Sequence, residues 1–117
     1  MSYEFTMPWP PSINGYWRSF QNRQIISKRG RDYRANAIAH LIDIKLYNEK
    51  LSKPLRVELV LNPPTLRRYD IDNFNKALFD ALSHGNFWID DEQVVELKIT
   101  KGTKEKGGNI KVIVTVR

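Results

Sequence analysis

The chain has 117 residues, 41% of them hydrophobic and 27% charged, with a net charge of +6, a pI near 9.7 and no cysteine. This size predicts one domain over residues 1–117 with a modest core, and the composition is that of a soluble globular protein rather than a disordered one. The absence of thiols excludes a disulfide framework, a thiolate metal site and a cysteine nucleophile. No run of about 18 apolar residues is present to span a bilayer, and no signal-peptide core stands at the N-terminus, so the chain is expected in the cytoplasm. The basic balance favours a polyanionic partner, although charge speaks to association and not to fold.

Tyr3 to Met7 alternates polar and apolar side chains, as a strand with one buried face does. Pro8-Trp9-Pro10-Pro11-Ser12-Ile13-Asn14-Gly15 follows as an ordered loop, because three prolines fix φ and remove donors. Tyr16-Trp17 and Gln24-Ile25-Ile26 can pair as a hairpin around Asn22-Arg23. Ser27 is a candidate N-cap, and Tyr33, Ala37, Ile38, Leu41 and Ile44 recur at helical spacing toward about Asn48. The first turns of that helix carry Lys28, Arg29, Arg31 and Arg34, an unfavourable end for cations unless they meet phosphate or simply face solvent.

Leu55 to Leu61 alternates strictly and predicts a strand, closed by Asn62-Pro63-Pro64. Asp72 to Leu82 reads as a short helix with Phe74, Ala77, Leu78, Ala81 and Leu82 buried, ended by Ser83-His84-Gly85-Asn86. Phe87-Trp88-Ile89 is an apolar plug. Two strands follow, Val94–Thr100 and Ile110–Val116, joined by a basic, glycine-rich loop over 101–108 that is expected to be mobile. The order is strand, hairpin, helix, strand, helix, strand, strand. This predicts an α+β fold: a single mixed or antiparallel β-sheet of about four main strands with two helices packed on it.

Charge is distributed unevenly along this order. Residues 70–96 hold seven acids (Asp70, Asp72, Asp80, Asp90, Asp91, Glu92, Glu96) and a single base, Lys76, whereas the rest of the chain holds 18 bases and six acids. Carboxylates gathered beside a phosphate-attracting surface repel a polyanion unless a divalent cation lies between them. Asp70 and Asp72 alternate along an extended segment and so point the same way, and Asp72 is also the natural N-cap of the helix. Lys76 follows Asp72 at i+4, where an ordinary ion pair is the plain reading; Asp80, one turn further on, reads as structural, a partner for Lys76. Hard oxygen donors without cysteine or histidine suit Mg²⁺, and His40 and His84 read as structural. No P-loop, dinucleotide fingerprint or Ser/His/Asp arrangement competes. The pattern points to a metal-dependent nuclease, provided that Asp90-Asp91 come close to Asp70 and Asp72.

With PWPPSIN, the D-I-D-N-x-x-K block leading into A-L-F-D-A-L, and FWIDDEQV before a final strand pair, the chain resembles the RusA family of Holliday junction resolvases, small phage and prophage endonucleases. The resemblance implies a homodimer that uses Mg²⁺ or Mn²⁺ to cut four-way DNA junctions by symmetric nicks in recombination and repair, with a preference for cutting 5′ to a CC. It implies Asp70, Asp72 and Asp91 as the essential acidic triad and Lys76 as the catalytic lysine, with Asp90 a further metal-ligand candidate. The family often has an arginine directly before the first aspartate, where Tyr69 stands here; Arg67 and Arg68 could supply that charge, or Tyr69 could stack on DNA. With Lys28, Arg29 and Arg31, these form the expected DNA-binding set. The alternatives are a nuclease for other branched DNA and a non-catalytic nucleic-acid-binding module.

Overall fold

The computed structural model describes residues 1–117. Its elements are β1 (Ser2–Pro8), α1 (Ile13–Tyr16), β2 (Trp17–Phe20), β3 (Arg23–Ile26), α2 (Lys28–Asp43), β4 (Leu55–Asn62), α3 (Asn75–His84), a 3₁₀ turn (Asp91–Gln93), β5 (Val94–Lys101) and β6 (Asn109–Val116). The α+β class agrees with the sequence reading, and so does the element order apart from α1, a one-turn helix capped by Ser12 at the end of what reads as a loop. Four strands form a mixed sheet in the order β1-β6-β4-β5, and β2–β3 is a separate two-stranded hairpin.

Alternation decides which face is buried. Leu55, Val57, Leu59 and Leu61 of β4 and Ile110, Val112 and Val114 of β6 point inward, and α2 and α3 close over them with Tyr33, Ala37, Leu41, Leu78 and Leu82. The other face is laced by cross-strand ion pairs, Arg56–Glu96, Glu58–Lys98 and Glu4–Lys111. Phe87 and Trp88 are the plug expected from the sequence, fully buried against Tyr3, Phe5 and Phe79. Ile89 is not part of it and points into solvent.

Several boundaries differ from expectation, each for a local reason. The hairpin turns at Gln21-Asn22, both with positive φ, one residue earlier than read. α2 stops at Asp43 rather than about Asn48, because Lys45 adopts the left-handed conformation while its N–H donates to the Ile42 carbonyl and that of Leu46 to Leu41. α3 begins at Asn75, so Asp72 does not cap it; Phe74 occupies the N-cap without a side-chain hydrogen bond. The two final strands form as expected but are not neighbours in the sheet. β5 pairs in parallel with β4, and β6 lies antiparallel between β4 and β1. The 101–108 loop is fastened rather than loose: Gly102 N–H donates to Leu61 O, Thr103 N–H to Asn62 Oδ1 and Glu105 N–H to Pro63 O. Ser27 caps α2 as predicted, accepting from Gly30 N–H at 3.0 Å. No helix is long and apolar enough to cross a membrane.

Phe87 meets Tyr3, Phe5 and Trp88 edge-on or tilted and has no solvent exposure. Phe87→Ala is therefore expected to lower the unfolding free energy by about 3–5 kcal/mol in urea titrations. A loss below about 1 kcal/mol would mean that the surrounding rings collapse into the space.

Candidate active site

α3 sets Lys76 and Asp80 on one face, one turn apart, with Nζ 3.2 Å from Oδ1. Lys76 therefore pairs forward with Asp80, as the structural reading of Asp80 anticipated. The other oxygen of Asp80 accepts from the Tyr16 hydroxyl at 2.9 Å, and that hydroxyl accepts from Arg34 Nη2 at 3.0 Å. Burial pushes the Tyr16 phenol above its ordinary pKa, the Arg34 bond opposes this, and Asp80 adds to it. Lys76 also stands 5.9 Å from the centre of the Trp17 ring.

This chain of bonds depends on how α1 meets α2. Ser27 donates through its side chain to Gly15 O at 2.6 Å and through its N–H to Tyr16 O at 2.8 Å. Gly30 permits the close approach, since a Cβ there would lie 2.9 Å from the Tyr16 carbonyl oxygen. Arg34, a candidate for a solvated basic face, is thereby turned inward, and its Nε is buried without a partner. Tyr16 escaped sequence analysis because its contacts with Arg34 and Asp80 span 18 and 64 residues.

Asp91 begins the 3₁₀ turn and is half-buried. Its carboxyl is raised above the ordinary range, first by desolvation, then by the hydrogen bond and charge of Asp90 and by the charge of Asp80, with Lys76 pulling the other way. Asp91, Asp80 and Lys76 thus share one electrostatic neighbourhood. Asp90 is engaged locally, accepting from Glu92 N–H at 3.0 Å, while Gln93 Oε1 accepts from the Asp90 N–H at 2.8 Å. This capping box was not anticipated, although the D-x-x-Q spacing carries its signal.

Asp70 and Asp72 are exposed in the turn before α3, where Asp70 O accepts from Asn73 N–H and Asn73 O from Ile13 N–H at 2.8 Å. Asp70 shares a shallow cavity with Arg68, Tyr69, Asn73 and Lys101. The Lys101 ammonium donates to Tyr69 O at 2.7 Å and sits 4.3 Å from the centre of its ring. Tyr69 also packs edge-on against Trp9 and Phe74, so one face of its ring is already taken by a cation. Lys101 is the last residue of β5, and Asp91 lies three residues before its first. The strand between them spans about 23 Å. Asp91 and the Asp70 segment therefore approach the sheet from opposite ends of β5, and no three acidic or histidine side chains of the single chain gather at metal-ligand spacing. The expected convergence of Asp70 and Asp72 with Asp90-Asp91 does not occur within one chain.

Of the expected DNA-binding residues, Arg67 and Arg68 are exposed and line a groove with Trp9, Ser12 and the Pro63-Pro64 corner. Lys28 pairs with Asp32 at 2.7 Å, Arg31 donates to Ile26 O at 3.1 Å, and Arg29 lies exposed along a groove with Pro10, Pro11 and Asn36. His40 bonds Thr6 O, the structural role expected of it. As donors, the acids fit a hard divalent cation, since all are carboxylate oxygens.

Residues 8–117 match the family described as Endodeoxyribonuclease RusA. The crossover junction endodeoxyribonuclease RusA of Escherichia coli strain K12 is 39% identical over 114 residues, covering 97% of this chain and 94% of its own length. The protein of that name from Enterobacteria phage 82 is 40% identical over the same span, and that from Shigella sonnei strain Ss046 is 39% identical.

Removing the Tyr16 hydroxyl leaves Arg34 Nη2 without its acceptor and Asp80 with one fewer partner, at a position where Tyr16 is 1% exposed. Tyr16→Phe is expected to cost about 1–3 kcal/mol of stability, read from urea unfolding. An unchanged midpoint would show that neither group depends on the hydroxyl.

Proposed function

The chain belongs to the RusA endodeoxyribonuclease family, and from that premise we propose that it is a metal-dependent crossover junction endodeoxyribonuclease. It resolves four-way DNA junctions by paired, symmetric phosphodiester hydrolysis, acting in the cytoplasm as one domain per subunit of a homodimer. The reading is supported by the packing of the 3₁₀ turn that Asp91 opens against α3, the helix that carries the Lys76–Asp80 pair, in a chain of this family. A two-fold substrate needs two equivalent incisions and one chain has a single set of acids, which is the physical reason for a dimer.

Asp70, Asp72 and Asp91 are the proposed metal-holding acids and Mg²⁺ or Mn²⁺ the ion; since the three do not gather within one chain, the proposed site takes Asp70 and Asp72 from one subunit and Asp91 from the other. Asp90 is the weaker ligand candidate because one of its oxygens caps the 3₁₀ turn. When bound, the cation supplies charge neutralisation at a phosphate oxygen and acidity for the attacking water. The chain's own residues do the rest. Lys76, oriented by Asp80 and flanked by Trp17, offsets negative charge as it grows on the phosphate or the leaving oxygen. Arg67 and Arg68, with Lys28, Arg29 and Arg31, draw in the DNA backbone, and Tyr69 acts through its packing beside them.

Asp70→Asn is expected to abolish Mg²⁺-dependent cleavage of a mobile four-way junction while junction binding, read by gel shift, persists or tightens, since a repulsive charge has gone. Cleavage at the wild-type rate would remove Asp70 from the chemistry. Equal wild-type cleavage of forked or linear duplex would favour a broader branched-DNA nuclease.

Binding should weaken steeply with salt through counterion release. Arg67→Ala with Arg68→Ala should flatten the log–log salt dependence by about one unit for each phosphate left without its arginine. An unaltered slope would place the phosphate-binding surface elsewhere.

A further inference from the structure

The four-stranded sheet has two edges, and they are treated differently. On β1, α2 side chains occupy backbone carbonyls: Tyr33 donates to Pro8 O at 2.8 Å and His40 bonds Thr6 O. β5 has β4 as its one strand neighbour and, beyond the Val94 N–H that donates to Asp91 O, no side-chain hydrogen bond engages its backbone, so its free edge is a ready template for another strand.

Apolar exposure singles out the same strand. Val95 at 57% and Leu97 at 40% are the two exposed large hydrophobics of this sheet. Leu97 is the register partner of the fully buried Val57, so it belongs to the helix-facing side, where the helical layer stops short of it. Glu96 and Lys98 flank Leu97 on the opposite face, as their pairs with Arg56 and Glu58 show.

The order Val95-Glu96-Leu97-Lys98-Ile99 is self-complementary. Laid antiparallel to a copy of itself about Leu97, it sets Leu97 against Leu97 of the second copy, Glu96 against Lys98 and Lys98 against Glu96, while Val95, the extra residue of a β-bulge against Leu55-Arg56, lies where the regular ladder ends. Opposite charges face each other and apolar meets apolar, both favourable cross-strand pairings. We propose that β5 is the dimer interface, two copies joining by antiparallel β5–β5 pairing about a two-fold axis at Leu97. The four strands of each copy then form one continuous sheet across the axis. This rests on the homodimer reading above and names the surface that makes it. The pairing also lays the start of each β5, near Asp91, beside the end of the other, where Lys101 holds the Tyr69–Asp70 segment.

The chain has no cysteine, so one introduced thiol reports cleanly. Directly opposed residues of an antiparallel pair have Cα atoms about 4.5–5.5 Å apart, within disulfide range. Leu97→Cys should give a covalent dimer under mild oxidation that reductant dissolves, whereas Ile113→Cys in β6 should not. Leu97→Arg should weaken dimer association in sedimentation by about tenfold or more with circular dichroism unchanged. A wild-type dimer that neither cross-links at Leu97→Cys nor weakens with Leu97→Arg would overturn the β5 interface and leave the homodimer standing. A wild-type monomer that still cuts junctions would overturn the homodimer itself.

Discussion

The parallel pairing of β4 with β5 is the constraint around which the rest is arranged. Strands running the same way cannot be joined by a tight turn; the chain must return to the starting end, and α3 is that return. Everything chemically suggestive lies on this crossover. The segment leaving β4 carries Asp70 and Asp72, the helix carries Lys76 and Asp80, and the turn entering β5 carries Asp91. The Phe87-Trp88 plug fixes where the crossover comes down, since Leu51 and Trp88 form a bridge and the Trp88 indole donates to Ser83 Oγ at 2.7 Å.

The same constraint keeps the two acid sets apart. A crossover must climb one strand and descend beside the next, so the segment entering the helix and the segment leaving it sit at opposite ends of β5. Lys101 makes this concrete, binding the backbone at Tyr69 from the far end of the strand that Asp91 opens. α3 is the helix that runs back along this interval. Its polar face is accordingly well supported: the Asp80 side chain, 18% exposed, is held by Lys76 and Tyr16, and Tyr16 by Arg34. Partly buried charges joined in a network with low exposure are costly to disturb. Lys76 is thereby kept in one orientation at the head of α3.

Local pattern made most of the elements legible. Strict alternation located β1, β4 and β6, Ser27 announced α2, and the apolar stripe of α3 was read almost residue for residue. The failures share a cause. Lys45 takes the left-handed conformation that ends α2 and carries none of the glycine signal that would have announced its stop. Asp72 looked like a cap from its place before an apolar run, whereas tertiary contacts begin the helix three residues later. Strand neighbours were not readable at all: β5 and β6 are adjacent in sequence, and only the burial of β6 on its inner face tells that it belongs in the middle. The acidic residues stood out in the sequence; their separation along β5 did not, because it is a property of topology.

Charge placement narrows where a polyanion can lie. Among the basic residues at the head of α2, Arg34 is turned inward to Tyr16 and Arg31 is bonded to the Ile26 carbonyl. The Lys28–Asp32 pair is well solvated, and such pairs are held weakly enough to open. Arg29, Arg67 and Arg68 are exposed and form no ion pair, and each borders a groove that includes Trp9. Trp9 itself is locked to Phe74 at 4.6 Å between ring centres, tying that groove to the N-cap of α3. A phosphate backbone drawn to these three arginines would run past the PWPP corner toward Asp70 and the head of α3. The positive charge therefore leads to the acidic turn before α3, where Lys76 is fixed.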